Sequence, residues 1–304
     1  VNIDLHIHST ASDGSLTPAQ LIAQASRQRL AAIAITDHDT VAGVVEAVAT
    51  PFPPGLAFIS GVEISTAAPE GFPCHGSLHL LGYGIDPQHG RLQNALKRLQ
   101  SARKNRTPRI IAKLNHLGIG ITLEALEAAV GDAQIGRPHI ASWLVNNGVA
   151  RDVDDAFARY LGVGRPGYAD KYRIDCNAAI QLIRSAGGVA VLAHPALITP
   201  RGDWQLEELV ATLKNAGLSG LEAYYPEHTL VQTQTYLAWA EDYDLVATGG
   251  TDFHGNIKPG VQLGRAGGDF HVPYRCFSAL QQRIQHMHAA NDATFGTREQ
   301  RVIR

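Results

Sequence analysis

Short apolar runs that end in polar residues alternate with amphipathic stretches along most of the chain. "VNIDLHI" at the start reads as a strand running into His6 and His8, and Thr17-Pro18 opens a helix, with Thr as the N-cap and Pro at the first helical position. "PAQLIAQASRQRL" carries apolar residues at helical spacing. "AAIAITDHD" is apolar and then polar, a buried strand and a loop, and "VAGVVEAVA" follows as a short helix. "LAFISGVEIST" predicts another buried strand with Glu63 near its end, and "SLHLLGYGI" a further one carrying His79. The "AAPEGFPCHGS" between them is turn-rich and reads as an exposed loop.

From about Asp86 the pattern becomes helical. "RLQNALKRLQSARKNRTPRIIAKLNHLG" predicts one long amphipathic helix, broken or kinked at Pro108. "TLEALEAAVG", "RPHIASWLVNNG" and "DVDDAFARYLGVGRPGY" predict three more, and nothing from Ser101 to Gly167 reads as a strand. Alternation then returns. The helices "CNAAIQLIRSAGG", "LEELVATLKNAG" and "LVQTQTYLAWAEDY" are interleaved with strands "VAVLAHP", ending at His194, "LSGLEAYYP", and "LVATGGTDFHG", ending at Asp252 and His254. "CFSALQQRIQHMHAA" closes the chain as a helix. Repeated βα units with parallel strands predict an α/β fold, a (β/α) barrel of seven or eight units. The barrel is expected over 1–100 and 168–304, with a helical insertion over 101–167.

Composition narrows the class. The chain has 304 residues, 45% of them apolar, enough for one large barrel domain or one domain with an insertion. A net charge of −2 argues against a broad footprint for duplex DNA or an anionic membrane, though not against a local phosphate grip. Cys74, Cys176 and Cys276 form no CxxC pair, and their odd number is no disulfide framework. The expected setting is therefore reducing and cytoplasmic, with no leader and no membrane span.

There are 14 histidines, and their positions matter more than their number. In a barrel of this type the chemistry gathers at the C-terminal ends of the strands. His6, His8, Asp13, His38, Glu63, His79, His194, Asp252 and His254 all fall at or near predicted strand ends, with Asp37 and Asp39 beside His38. Each has an ordinary reading alone: a core histidine, a turn aspartate before glycine, a helix cap, a carboxylate orienting a ligand. Together they do not, because nine polar groups at one end of a barrel are costly to bury unless paired or bound to cations. In a strand, residues two apart face the same side, so His6 and His8 can address one ion, as can Asp252 and His254. Nine donors exceed the needs of one ion, and a carboxylate such as Glu63 can bridge two. With no cysteine among the donors, the set suits Mn, Zn or Fe. His75, His89, His116, His228, His271, His286 and His288 lie in loops or on helices and carry no such expectation.

"DLHIHSTASDGSLTP", "AITDHDT", "SGVEIS", "HLLGYGI", "VAVLAHP", "GLEAYYPEHT" and "GGTDFHG", in this order, resemble the PHP (polymerase and histidinol phosphatase) phosphoesterases over nearly the whole chain. With "IGRPHIASWLV" and the helical insertion, the resemblance extends to the branch that acts on 3',5'-bisphosphonucleosides and trims short RNA from the 5' end. It implies a distorted (β/α)7 barrel with up to three divalent ions, most often Mn. One ion is expected on His6, His8, Glu63 and Asp252, a second on Glu63, His79 and His194, a third on Asp13, His38 and His254. No catalytic group beyond these ligands is assigned.

The implied reaction is attack on a phosphate by a hydroxide formed from water bridging two ions. On the substrate side Arg137 and His139 open a helix, where free backbone N–H groups favour anions. Arg103 and Arg106 are candidates for a second phosphate but read better as a solvated helix face. Lys171 is a weaker candidate, and Tyr224, Tyr225 and Trp143 could stack on a base or simply pack. The expected partner is a phosphorylated small molecule or short RNA, with the monomer as the expected state. Three other readings stand beside this one: a histidinol-phosphate phosphatase, an amidohydrolase, and a non-catalytic polymerase-associated module. An amidohydrolase would need a bridging Lys on a middle strand, and no Lys sits at a strand end before the insertion.

Overall fold

The computed structural model describes residues 2–76, 78–131, 135–170, 172–257 and 260–295. The chain begins with β1 (Asn2–Ile7), α1 (Pro18–Arg27), β2 (Ala32–Ile35), α2 (Ala42–Ala49) and the long β3 (Ala57–Ala67). Thr17 caps α1 as the sequence predicts, its side chain accepting from Gln20 N–H while the Gln20 side chain accepts from Thr17 N–H. Two further strands follow, β4 (Cys74–Gly76) and β5 (Leu78–Tyr83). Then come α3 (Gly90–Lys104), α4 (Arg106–His116), α5 (Leu123–Val130), α6 (Arg137–Asn146) and α7 (Val153–Ala156), the last running into a π-helical turn over Phe157–Leu161. The remainder is β6 (Ile174–Asp175), α8 (Cys176–Ser185), β7 (Val189–Leu192), β8 (Ile198–Pro200), α9 (Leu206–Asn215), β9 (Gly220–Tyr224), α10 (Leu230–Asp242), β10 (Val246–Gly249), β11 (Val272–Pro273) and α11 (Tyr274–Phe295).

The main sheet has the order β10-β9-β7-β5-β3-β2-β1-β11. The loop after β10 completes the circuit: Ile7 and Phe253 form a parallel bridge, His8 N–H donates to Phe253 O and Asp252 N–H to His6 O. β1, β2, β3, β5, β7, β9 and β10 thus form a nearly closed, distorted seven-membered barrel. Its strands are not all parallel, contrary to expectation. β5 runs antiparallel to both β3 and β7, and β11 antiparallel to β1. The β3–β5 connection holds no crossover helix, and without one consecutive strands pair as antiparallel neighbours.

Alternation along the strands, with a register shift on β1 between Asp4 and Ile7, divides the core. Ile3, Leu5, Ala32, Ala34, Ile59, Leu81, Tyr83 and Val191 form one cluster, to which α11 adds Phe277, Leu280 and Ile284. Ile7, Ile33, Ile35 and Phe58 face the other way, against Leu21, Ile22 and Ala25 of α1 and Val44 and Ala47 of α2. The helices between β5 and β6 bury a separate cluster that includes Ile110, Leu114, Ile121, Leu126, Ile140, Leu144 and Leu161.

Two further expectations are corrected. The turn-rich segment before β5 contributes β4, which pairs antiparallel with β8, and its Phe72 is buried against the core. The break in the long helix falls at Asn105, not at Pro108. Pro108 occupies the first turn of α4, where an amide N–H would have no intrahelical partner, so its ring costs the helix little there. Among the described residues no helix is long and apolar enough to cross a membrane.

Candidate metal centre

The nine predicted residues meet at one end of the barrel. His6 is on β1 and His8 one residue beyond it, while Asp13 lies in the following loop. His38 follows β2 in a loop held against β3, with Asp39 N–H donating to Glu63 O and Glu63 N–H to Asp37 O. Glu63 lies within β3 rather than near its end, at the residue paired with Leu81 of β5. His79 comes from β5 and His194 from the residues after β7. Asp252 and His254 lie beyond β10, not on it as expected, so strand periodicity does not put them on one ion; the structure assigns them to different groups.

The donor atoms form three overlapping groups within reach of single ions. The first is His6, His8, Glu63 and Asp252. His6 Nε2 and His8 Nε2 each lie 3.3 Å from Glu63 Oε2, and 3.5 and 3.1 Å from Asp252 Oδ1. The second is His38, Glu63 and His79, with His38 Nδ1 2.9 Å from Oε2 and His79 Nδ1 2.6 Å from Oε1. His194 Nε2 also approaches Oε1, at 3.0 Å, and stands 3.3 Å from His79 Nδ1. The third is His8, Asp13, His38 and His254, with His254 Nε2 3.4 Å from Asp13 Oδ1. Glu63, fully buried, is thus common to two groups through two oxygens.

Glu63 Oε1 is within hydrogen-bond distance of His79 Nδ1 and His194 Nε2, but much of the rest of the cluster is unpaired. His6 Nε2, both ring nitrogens of His8, His38 Nδ1, Glu63 Oε2 and Asp13 Oδ1 are buried with no hydrogen-bond partner among the described residues. Orphaned lone pairs in a protein interior are costly, and so many converging on shared points fit cations. Electrostatics point the same way. Burial opposes charge on His8, yet its contacts with Asp252 and Glu63 outweigh burial and lift its pKa to about 10. His6 is likewise raised, against burial, by Glu222, Glu63 and Asp252. Glu63 and Asp13 stay well below the usual carboxylate range despite burial, because the surrounding imidazoles, and Arg103 for Asp13, hold them ionised. Burial pushes His79 down to about 4, so it presents a neutral ring at neutral pH. The centre demands positive charge, from protons or from metal.

A supporting layer fixes the donors. Glu222 of β9, fully buried, accepts from His6 Nδ1 at 2.9 Å and from His194 N–H at 2.7 Å. That bond selects the tautomer leaving the Nε2 lone pair of His6 aimed at the centre. Asp37 accepts from Ser9 N–H, Ser9 Oγ and Ser12 Oγ, fixing the loop that carries Asp13. Tyr225 Oη donates to Asp252 Oδ2 at 3.0 Å. A Cβ on Gly250 would fall 2.3 Å from His6 Cβ, so only glycine allows this approach to β1. Glu222 was missed in the sequence. Its signal was a lone carboxylate inside the apolar run "LSGLEAYY".

The centre opens into a cavity of about 760 Å³. Asp13, His38, His79, Asp252 and His254 line it, with Arg103, Arg106, Arg137 and Arg173 and the acidic Asp152, Asp154 and Glu227. Arg106 is buried and Arg103 is partly buried, so neither is on a solvated face. Arg106 and Arg137 bond to the carbonyls of Ala169 and Leu161 and, among the described residues, make no ion pair. Burial and neighbouring arginines push Arg106 down to about 9, and burial with Arg103 and Arg173 pushes Arg137 to about 10. His139 does not line the cavity; its Nδ1 accepts from Gly136 N–H, capping its own helix. Trp143 packs in the helical core, and Lys171 lies outside the described residues.

Comparison with known proteins matches these features. Residues 4–148 match the PHP domain. The chain is 34% identical over 264 residues to a 3',5'-nucleoside bisphosphate phosphatase of Chromobacterium violaceum, covering 86% of this chain and 90% of that protein. It is 36% identical over 251 residues to a 5'-3' exoribonuclease of Haemophilus influenzae, covering 83% and 89%. A solved structure from Chromobacterium violaceum, described as an amidohydrolase with bound sulfate and no metal, superposes with a TM-score of 0.79 at 31% identity over 94% of this chain and 97% of that one. With the donor set, the seven-membered barrel and these relatives in agreement, the chain belongs to the PHP family and is a metal-dependent phosphoester hydrolase.

Proposed function

We propose that the enzyme removes the 3'-phosphate of a 3',5'-bisphosphonucleotide and leaves the 5'-nucleotide. The observation that carries this reading is the pairing of a cation-demanding centre with a group of arginines in one cavity. A cation-demanding centre and several arginines in one cavity suit a substrate with more than one anionic group. The name of the Chromobacterium relative supports it. Trimming of short RNA is the second reading, supported by the name of the Haemophilus relative.

In this proposal His6, His8, Glu63 and Asp252 hold one ion, Glu63, His79 and His194 a second, and Asp13, His38 and His254 a third. Mn²⁺ is the proposed ion, with Zn and Fe as alternatives that an all-nitrogen and oxygen donor set also suits. Divalent ions bound there supply Lewis-acid charge to the phosphoryl oxygens and make water acidic enough to attack near neutral pH. The chain does the rest. Glu222 and Tyr225 hold His6 and Asp252 in their donating orientations. Arg137 and Arg106 take the phosphate that is not cleaved, as planar forks desolvated before substrate arrives. His139 holds the α6 N-terminus that carries Arg137. Residues 101–167 cover the mouth of a barrel formed by 1–100 and 168–304, limiting water access.

The test is phosphate release in Mn²⁺ from 3',5'-adenosine bisphosphate, AMP, histidinol phosphate and a short RNA, each with and without chelator. Fast, chelator-sensitive release from the bisphosphate, with 5'-AMP as product, is expected. Release from histidinol phosphate alone would refute the substrate and keep the metals.

A further inference from the structure

We propose that Arg103 makes the Asp13, His38 and His254 group the weakest cation position and couples its filling to an anion in the cavity. This rests on the metal-holding reading above. Arg103 lies in the last turn of α3, yet only 12% of its side chain is exposed. Nη1 lies 3.5 Å from Asp13 Oδ2, and Nη2 donates to Asp39 Oδ2 at 3.2 Å. Nε is buried with no hydrogen-bond partner among the described residues. Asp39 belongs to none of the donor groups; it accepts from Ser65 N–H and Oγ, and its φ of 56° holds it in the left-handed region. Its carboxylate is a fixed anchor that keeps the guanidinium against Asp13.

Asp13 therefore serves two masters. Its Oδ1 faces His254 and His8 at 3.4 and 3.9 Å, while its Oδ2 faces Arg103 and, at 3.9 Å, His38. The carboxylate that the first and second donor groups share, Glu63, faces only imidazoles among the described residues. The third has one carboxylate, already shared with a guanidinium. A divalent ion entering there meets a fixed positive charge across one carboxylate, and in a buried site that repulsion is weakly screened. A phosphate in the cavity, which Arg103 also lines, changes the balance. The guanidinium fork then has an acceptor for its unpartnered N–H, and the added negative charge offsets the ion. Anion and third ion bind cooperatively, and the coupling is reciprocal. Substrate would thus complete the centre that acts on it.

The experiment is equilibrium dialysis of the full chain, first stripped with chelator, against Mn²⁺, with metal counted by mass spectrometry and inorganic phosphate absent or saturating. Wild type is expected to hold two ions without phosphate and to bind the third at least about tenfold more tightly with it. In R103Q the third ion should bind about tenfold more tightly without phosphate, and phosphate should then change its affinity less than about threefold. R103K, which keeps the charge, should retain most of the coupling and controls for loss of packing. Three equally tight ions in wild type without phosphate would overturn the proposal, as would an undiminished phosphate effect in R103Q. No Mn²⁺ binding by wild type would instead overturn the metal-holding reading itself.

Discussion

Glu222→Gln tests the centre without touching a proposed ligand. The carboxylate accepts two buried hydrogen bonds, 2.9 Å from His6 Nδ1 and 2.7 Å from the His194 amide. A carboxamide has one accepting oxygen. Whichever bond survives, the NH2 group meets the other donor head on. Losing one charge-assisted bond and opposing a buried donor costs about 1.5–3 kcal/mol. His6 also loses the partner that fixes its tautomer, and its Nε2 is one of four donors to the first ion. Outer carboxylates of this kind typically contribute 10–100-fold in metal affinity, or about 1.4–2.7 kcal/mol. Denaturant unfolding of the chelated protein should read the first cost, and Mn²⁺ dialysis the second. The ¹⁵N shifts of the His6 ring should report a mixed tautomer in the variant and a single one in wild type. Unchanged metal affinity and an unchanged His6 spectrum would refute the reasoning even if stability fell.

Three further outcomes are expected. His8→Ala and Asp252→Asn should each abolish turnover while circular dichroism shows the fold retained; substantial activity in either would break the assignment of the first ion. Arg137→Ala should raise KM for the bisphosphate by about tenfold or more with little change in kcat, because it lines the cavity and belongs to none of the donor groups; unchanged kinetics would remove it from the site. Burial raises Asp4 to about 6, above its usual 3.8, despite hydrogen bonds from Thr251 and Gly264. A raised carboxyl pKa favours folding when protonated, a gain fully present below 3.8 and lost as pH rises through 6. Wild type should therefore gain on Asp4→Asn by up to about 1.4 kcal/mol per pH unit as pH falls below 6, and a pH-independent difference in denaturant unfolding would refute it.

Much of the centre was legible because strand-end chemistry is local. "DLHIH", "TDHD" and "TDFH" each end or follow an apolar run, and a run's end is visible without knowing its neighbours. Burial of Arg103 and Arg106 was not legible. Their helical segment is polar on average, yet Arg103 and Arg106, on either side of the break at Asn105, both line the cavity. Strand direction was hidden too, since an apolar run reads alike either way. β5 is antiparallel because no crossover helix separates it from β3, and the turn-rich stretch between them instead gives β4 its partner in β8.

The sequence by itself therefore determined most of the elements, the alternation that makes a barrel, and the polar residues that gather at one end of it, since hydrophobic period and residue chemistry are properties of short stretches. Only the tertiary structure decided the rest. It brings Glu63 to the middle of two donor groups, joins Glu222 of β9 to His6 of β1 across 216 positions, and divides Asp252 from His254. It also sets Arg103 against Asp13. These are contacts between residues far apart in the chain, set by the closure of the barrel, and no local pattern encodes which side chain a buried charge will meet.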